Sequence, residues 1–443
     1  MSTQHNHLIH YPATPQDRVA HLIGLFSADQ QINAILRFSG QIEQELLEQA
    51  VQLTIKLEPI LGCRFIEADT PYWEPQPAAF AFPICSFANC LDEDQLEDAV
   101  CTFLTEPGDR AAGPMVQTKL FRTAAADTLG VKLSHLCSDG GGVKEYVTLL
   151  ASAYTLLAEE KCPDQIETIL GLQRGQGFRD QAPVFAAAGI KDINSAIRSE
   201  QTPASLWAFP SNPSGNIEPK IALRRFNEAK TTELINWTKE RHATVNDALV
   251  AAFYRSLTYS AVYAQPRTET RAIGLTVDLR RYLPDRTSGS ISNLSAVEVP
   301  VIELHDDESF EVTLGRVKEA MDAIKHNLPG ISSAAAMELM AGISHLALRD
   351  NNQQMHAQLA QTSMAMPMLT NFGIIDQYPI LFGRLAVEEA YMTAPLMYSP
   401  YFLMGASSYN GALTLSIGFH TPAITEEKIN QFLDDIVAEL NLL

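Results

Sequence analysis

The sequence predicts an α/β protein, an α+β arrangement in two layers, built as two halves of similar layout. Three observations carry this expectation. Strand and helix patterns alternate from Gln30 to about Ala158. From residue 166 to 219 the periodicity is lost and Pro, Gly, Asn, Ser and Gln accumulate, as in chain that joins two domains. From Lys220 the alternation resumes, and 443 residues are enough for two cores. The expected division is therefore 1–165, a connecting segment 166–219, and 220–443.

In the first half, Ile32 to Phe38 reads as a strand. A Ser39-Gly40 turn follows, then an amphipathic helix from about Glu43 and a strand near Cys63. Beyond the Pro- and Phe-rich stretch Pro71 to Pro83 come an acidic helix at 92–104, a strand from Val116 to Arg122 and a strand from Val131 to His135. A helix from about Val143 to Ala158 places Val143, Val147, Leu150, Ala151 and Tyr154 at helical spacing. The second half opens with the strand "KIALRRFN" and a helix from Thr231. A long helix follows, headed by Thr244 with Asp247 at capping-box spacing. Strands "AIGLTVDLR", "NLSAVEVPVIEL" and "MLTNFGIID" come next, then a hairpin turning at Asn410-Gly411 and a last helix from about Glu426.

With 32 Lys plus Arg against 52 Asp plus Glu, the net charge of −20 repels polyanions, so neither nucleic acid nor an anionic membrane is an expected partner. No apolar run reaches the roughly 18 residues of a membrane span, and no basic stretch followed by an apolar one marks a secretory signal. The six cysteines lack both metal-ligand spacing and disulfide density. A cytoplasmic protein with reduced thiols is expected.

Chemistry concentrates in "VKLSHLCSDGGGVKEYV", residues 131–147. A strand ending at His135 delivers an imidazole to a loop, where a neutral histidine can act as general base. Asp139 either fixes its tautomer or faces away in a buried ion pair. Gly140, Gly141 and Gly142 allow a tight turn and a ligand's approach to the amides of the next helix. Other readings of the same residues are a structural histidine, a His135–Asp139 metal site, and a Cys137–His135 nucleophilic pair, against Cys137 as a plain core thiol.

"HLCSDG" is similar to the H-x-x-x-D-G signature of the chloramphenicol acetyltransferase-like superfamily, which includes peptide condensation domains, alcohol acetyltransferases and polyketide-associated acyltransferases. "LEPILGCRF", "TVNDALVAAF", "TVDLRRYLP", "SISNLSAVEVP" and "TNFGIID" resemble further segments of that family, in its order and over nearly the whole chain. The resemblance implies two subdomains of that type with a central active-site tunnel. It makes His135 the general base and Asp139 the structural partner of Arg280. For the oxyanion it offers the amide of Gly140 or Gly141 and the pair Thr370-Asn371.

It further implies no resident cofactor and no metal. The donor would be an acyl thioester, on coenzyme A or on the phosphopantetheine arm of a separate acyl or peptidyl carrier protein. The acceptor would be a small-molecule hydroxyl or amine, with "VDLRRYLP" favouring the hydroxyl. Ser134 stands where many condensation domains carry a first histidine, and Asn371 and Ile374 stand where plant acyltransferases show Asp and Trp. One two-subdomain unit uses up the chain, so a freestanding monomeric acyltransferase of secondary metabolism is expected. The rival functions are a hydrolase using His135, with or without Cys137, and a silent binding protein of the same fold. Lys220, Arg224, Arg225, Lys239 and Arg241 are available as counter-charges or as solvated surface. "MAMPMLTNF" and "APLMYSPYFLM" supply residues for an acyl tunnel or for core.

Overall fold

The computed structural model describes residues 10–441 except 77–83, 109–112, 175–176, 199–203, 205, 264–268 and 306. The end of the expected Pro- and Phe-rich stretch thus lies outside the described residues. Two six-stranded sheets organise the rest. The first runs in the order Leu381–Phe382, Leu385–Thr393, Gln31–Phe38, Asp127–Ser134, Val116–Arg122, Cys85–Asn89. Its central strands Gln31–Phe38 and Asp127–Ser134 are buried at nearly every position, as strands covered on both faces must be. Helices Gln44–Leu57 and Gly140–Ala158 set Leu47, Val51, Val143, Val147 and Leu150 against one face. Helix Glu93–Thr105 sets Leu96, Val100 and Phe103 against Ile35 and Phe121 on the other.

The second sheet runs Ser295–Glu298, Gly274–Asp278, Met368–Ile374, Leu403–Tyr409, Ala412–Pro422, Asn216–Phe226. Helices Val245–Ser260, Phe310–His326 and Glu426–Asn441 cover it, burying Leu249, Phe253, Val317, Phe432 and Ile436. The capping box at Thr244 and Asp247 forms as expected. So does the two-residue hairpin, with φ of 44° at Asn410 and 76° at Gly411 and Tyr409 opposite Ala412.

The layout departs from the sequence expectation in four places. Strand Leu385–Thr393, late in the chain, pairs antiparallel with Gln31–Phe38 in the first sheet instead of staying in the second half. It also stitches the sheets together, since Ser407 Oγ accepts from the Met392 amide at 2.9 Å and Tyr409 Oη donates to Val387 O at 3.2 Å. Helix Pro163–Arg174 crosses the expected boundary at 165, because Ile166 and Leu170 complete the first core. Helix Pro15–Phe26 lies outside the expected elements, although Thr14 and Asp17 at its head form a capping box. Helices Ile331–Met340 and His345–Thr362 lie outside the expected elements: the first is apolar but short, the second largely polar and exposed, and neither shows a clear apolar stripe at helical spacing. No single helix among the described residues is long and apolar enough to cross a membrane.

Candidate active site

Strand Asp127–Ser134 begins earlier than expected and ends one residue short of His135, which opens the turn into helix Gly140–Ala158. The His135 amide donates to Gln30 O at 2.8 Å, fixing the turn to the neighbouring strand. The ring is held by Nδ1, which lies 2.7 Å from Ser138 O and 3.2 Å from Asn293 Oδ1. A backbone carbonyl can only accept, so in the neutral ring Nδ1 carries the proton and Nε2 presents a lone pair. Nε2 has no partner among the described residues, and His135 lines a cavity of about 200 Å³ between the two sheets. That is the protonation pattern a general base requires.

Asp139 faces away from the ring. It caps the helix through the Gly142 amide at 2.8 Å, accepts from the Leu294 amide at 2.6 Å, and takes Arg280 Nη1 on both oxygens at 2.9 Å. Burial opposes its ionisation, but the Arg280 guanidinium and the two amides outweigh burial and hold the carboxyl below the usual carboxylate range. Arg280 also reaches Glu145 at 3.1 Å and Ser292 O at 3.1 Å. Only 2% of each partner is exposed, so the pair is interior structure joining the two subdomains.

The glycines are required by close approach. A Cβ at Gly140 would sit 2.4 Å from the Phe372 ring and one at Gly141 2.5 Å from Arg280 Nη1. The first amides of a helix have no intrahelical partner, and those of Gly140 and Gly141 border the cavity. Across from them, Thr370 Oγ1 and Thr276 Oγ1 lie 2.6 Å apart, so one hydroxyl accepts and the other proton is available to a ligand. Asn371 sits close by with its side chain committed: its Nδ2 donates to Asn246 Oδ1 at 3.0 Å and its Oδ1 accepts from the Gly373 amide at 2.8 Å, shaping the bulge after it. Sequence reasoning singled out Asn371 and missed Thr276, although Thr276 heads the same "TVDLRR" segment as Arg280.

It also missed Gln30, which lines the cavity at φ 60°, a left-handed conformation unusual for a glutamine. Its buried Oε1 has no hydrogen-bond partner among the described residues. The apolar part of the wall is formed by Ile23, Ile32, Met368, Met397 and Leu403. The late Met- and Phe-rich segments divide between roles: Met368, Phe372, Met397 and Leu403 line the cavity, whereas Leu396, Phe402 and Met404 are core. Lys144, Thr276, Asp278, Asn371 and Phe372 are shared with a second cavity of about 630 Å³, which carries Arg281, Arg286 and Lys325. The five cations suggested by the sequence line neither cavity. Arg224 pairs with Asp434 and Arg225 with Glu389 at the surface instead.

Cys137 does not join His135 as a nucleophile. It is fully buried in the first core, its Sγ is 3.4 Å from Ser134 O, and burial pushes the thiol up. Among the described residues, His21 with Glu67 and His345, and Glu269 with Glu303 and His305, have ligand-like spacing; none of them lines the His135 cavity, and Glu67 is engaged by Arg349.

No protein-family model matches the chain, and no curated protein sequence matches it. Solved structures do. The trichothecene 15-O-acetyltransferase of Fusarium sporotrichioides superposes with a TM-score of 0.68 at 14% identity, over 99% of this chain and 96% of that one. The first condensation domain of the CDA synthetase gives 0.65 at 12% identity, over 98% and 96%. The starter condensation domain of rhizomide synthetase, solved with C8-CoA, gives 0.62 at 13% identity, over 98% and 94%. Over 98–99% of its length the chain therefore has the two-subdomain fold shared by condensation domains and chloramphenicol acetyltransferase-like acyltransferases.

Proposed function

We propose that the protein is an acyltransferase that moves an acyl group from a thioester to a hydroxyl or amine, with His135 as general base. The observation that carries this reading is the bare Nε2 of His135, on the wall of a cavity between the two sheets, with its tautomer fixed from behind. In the reaction Nε2 takes the proton of the acceptor as its oxygen or nitrogen attacks the thioester carbonyl. The tetrahedral intermediate collapses with cleavage of the C–S bond, and the imidazolium returns the proton to the leaving sulfur. The Gly140 and Gly141 amides and the Thr276–Thr370 hydroxyl pair are the donors for the oxyanion. Gln30 offers a hydrogen bond to a bound substrate. Aliphatic walls suit an apolar group near His135, while Arg281, Arg286 and Lys325 in the wider cavity suit a phosphate-bearing thioester on a chain whose overall net charge is −20. Lys325 is shared with Asp322 at 3.2 Å, which leaves the two arginines as the main candidates.

The test is thiol release from a panel of acyl-coenzyme A thioesters with pooled alcohols and amines. Release should require both acceptor and His135, with His135→Ala lowering the rate by about 10²–10⁴-fold. Acceptor-independent release would establish a hydrolase. Release unaffected by His135→Ala would remove the base from the mechanism.

A further inference from the structure

We propose that Asn293 is the positioning residue for the His135 ring, and that Asp17 holds Asn293 in that role; the consequence for rate rests on His135 being the base. Asn293 lies in "SISNLS", just before strand Ser295–Glu298 of the second sheet, and only 3% of it is exposed. Its Oδ1 faces His135 Nδ1 at 3.2 Å. Its Nδ2 faces three acceptors, His135 O at 3.0 Å, Leu136 O at 3.1 Å and Asp17 Oδ1 at 3.3 Å.

The amide can adopt one orientation only. Flipped, it would set its oxygen against two carbonyls and a carboxylate, and its NH₂ against the imidazole N–H. An oxygen held in place by three acceptors on the opposite atom demands a proton on Nδ1 and leaves Nε2 bare. Ser138 O shares that proton, but it belongs to the same turn and moves with the ring. Asn293 comes from the other subdomain and ties the turn to a fixed frame.

Asp17 makes that frame rigid. It is fully buried and accepts from Arg179 Nη2 and Trp73 Nε1 at 2.9 Å each and from the Thr14 amide at 3.1 Å, bonds that fix its carboxylate oxygens beside Asn293. Arg179 in turn donates to Ile291 O at 3.0 Å and Cys137 O at 3.2 Å, on either side of the same contact. Segments around residues 17, 179 and 293 thus converge behind one ring.

The experiment is nitrogen NMR of the full chain labelled with ¹⁵N-histidine, with the His135 signals identified by their loss in His135→Gln. Wild type should show a single neutral tautomer, protonated at Nδ1. Asn293→Ala should mix the two tautomers and lower kcat in the thioester assay by about 100-fold with little change in KM, the scale expected of a reacting group misplaced by about 1 Å. Asp17→Asn, nearly isosteric, should shift the tautomer balance the same way by less, and serves if Asn293→Ala does not fold. Ring nitrogen shifts identical to wild type in the folded variant would overturn the proposal whatever the activity. A changed tautomer with unchanged thiol release would uphold Asn293 as the ring's anchor and overturn the general-base reading.

Discussion

Two arginine–carboxylate pairs lie beneath the His135 turn, and they do different work. Asp139–Arg280 sits on the helix side of the turn, Asp17–Arg179 on the strand side; both carboxylates are buried and both arginines arrive from distant sequence. Asp139 is saturated by backbone amides and guanidinium, with none of its bonds reaching the imidazole. Asp17 reaches the ring through one amide, that of Asn293. The segment Ser292–Leu294 serves both: Ser292 O accepts from Arg280 and from the Asp139 amide, Asn293 clamps the ring, and the Leu294 amide donates to Asp139. The nearest acid in sequence therefore fixes the loop, while an acid more than a hundred residues away fixes the ring.

The sharpest way to break this contrast is Asp139→Ala, which strands the Arg280 charge in the interior. A loss of about 3–5 kcal/mol in urea unfolding is expected, with thiol release falling in proportion to the folded fraction and further through the displaced loop. Because the folded carboxyl titrates below its ordinary value, its stabilisation is complete above about pH 4 and is lost as pH falls through the lower folded pKa. The stability gap between wild type and variant should therefore be flat at neutral pH and close only in strong acid. A gap that closes between pH 5 and 7 would place the carboxyl in a different environment.

A smaller effect is expected from Gly141→Ala. The new Cβ would meet Arg280 Nη1 at 2.5 Å, and the guanidinium cannot retreat while Asp139, Glu145 and Ser292 hold it. Overpacking of this kind costs about 1–3 kcal/mol, enough to outweigh the roughly 1 kcal/mol by which alanine is the better helix former. Gly171, in helix Pro163–Arg174, has nothing within 4 Å of its would-be Cβ and is the matched control. Gly171→Ala should stabilise in the same thermal melt in which Gly141→Ala destabilises. Equal signs would show that Arg280 yields, and that the pair is less rigid than its bonds indicate.

How far the sequence reaches follows the same line. His135, Asp139 and the glycines lie in one contiguous stretch, and Arg280 is readable because family resemblance ties its segment to that stretch. The Asp139–Arg280 pair joins residues 141 apart along the chain, a closure that spacing alone does not reveal. Asn293 reads as part of a strand, and Asp17, whose capping box with Thr14 marks a helix start, carries no sign of its tie to Asn293. Gln30 stands two residues ahead of the expected strand Ile32 to Phe38, and only its positive φ in the folded chain marks it. Strand Leu385–Thr393 was not among the expected elements, and local sequence names no partner for it: its place is fixed by the antiparallel edge of Gln31–Phe38 and by bonds to Ser407 and Tyr409.

The smallest expected effect is the most discriminating for chemistry. Cys137 lies between the two ion pairs, two residues from His135 and two from Asp139, and in sequence it invites a cysteine–histidine reading. Its carbonyl accepts from Arg179, so its backbone belongs to the Asp17 side, while its thiol points into the first core with no exposure to the cavity. Burial pushes the thiol up, away from the thiolate a nucleophile needs. Cys137→Ala should therefore lower stability by about 1 kcal/mol, the scale of one buried methylene-sized group, and leave acceptor-dependent thiol release within about twofold of wild type. A folded Cys137→Ala protein without activity, its His135 ring still protonated at Nδ1, would move the chemistry from the imidazole to the sulfur, since the loss could then be assigned neither to the fold nor to a misplaced base.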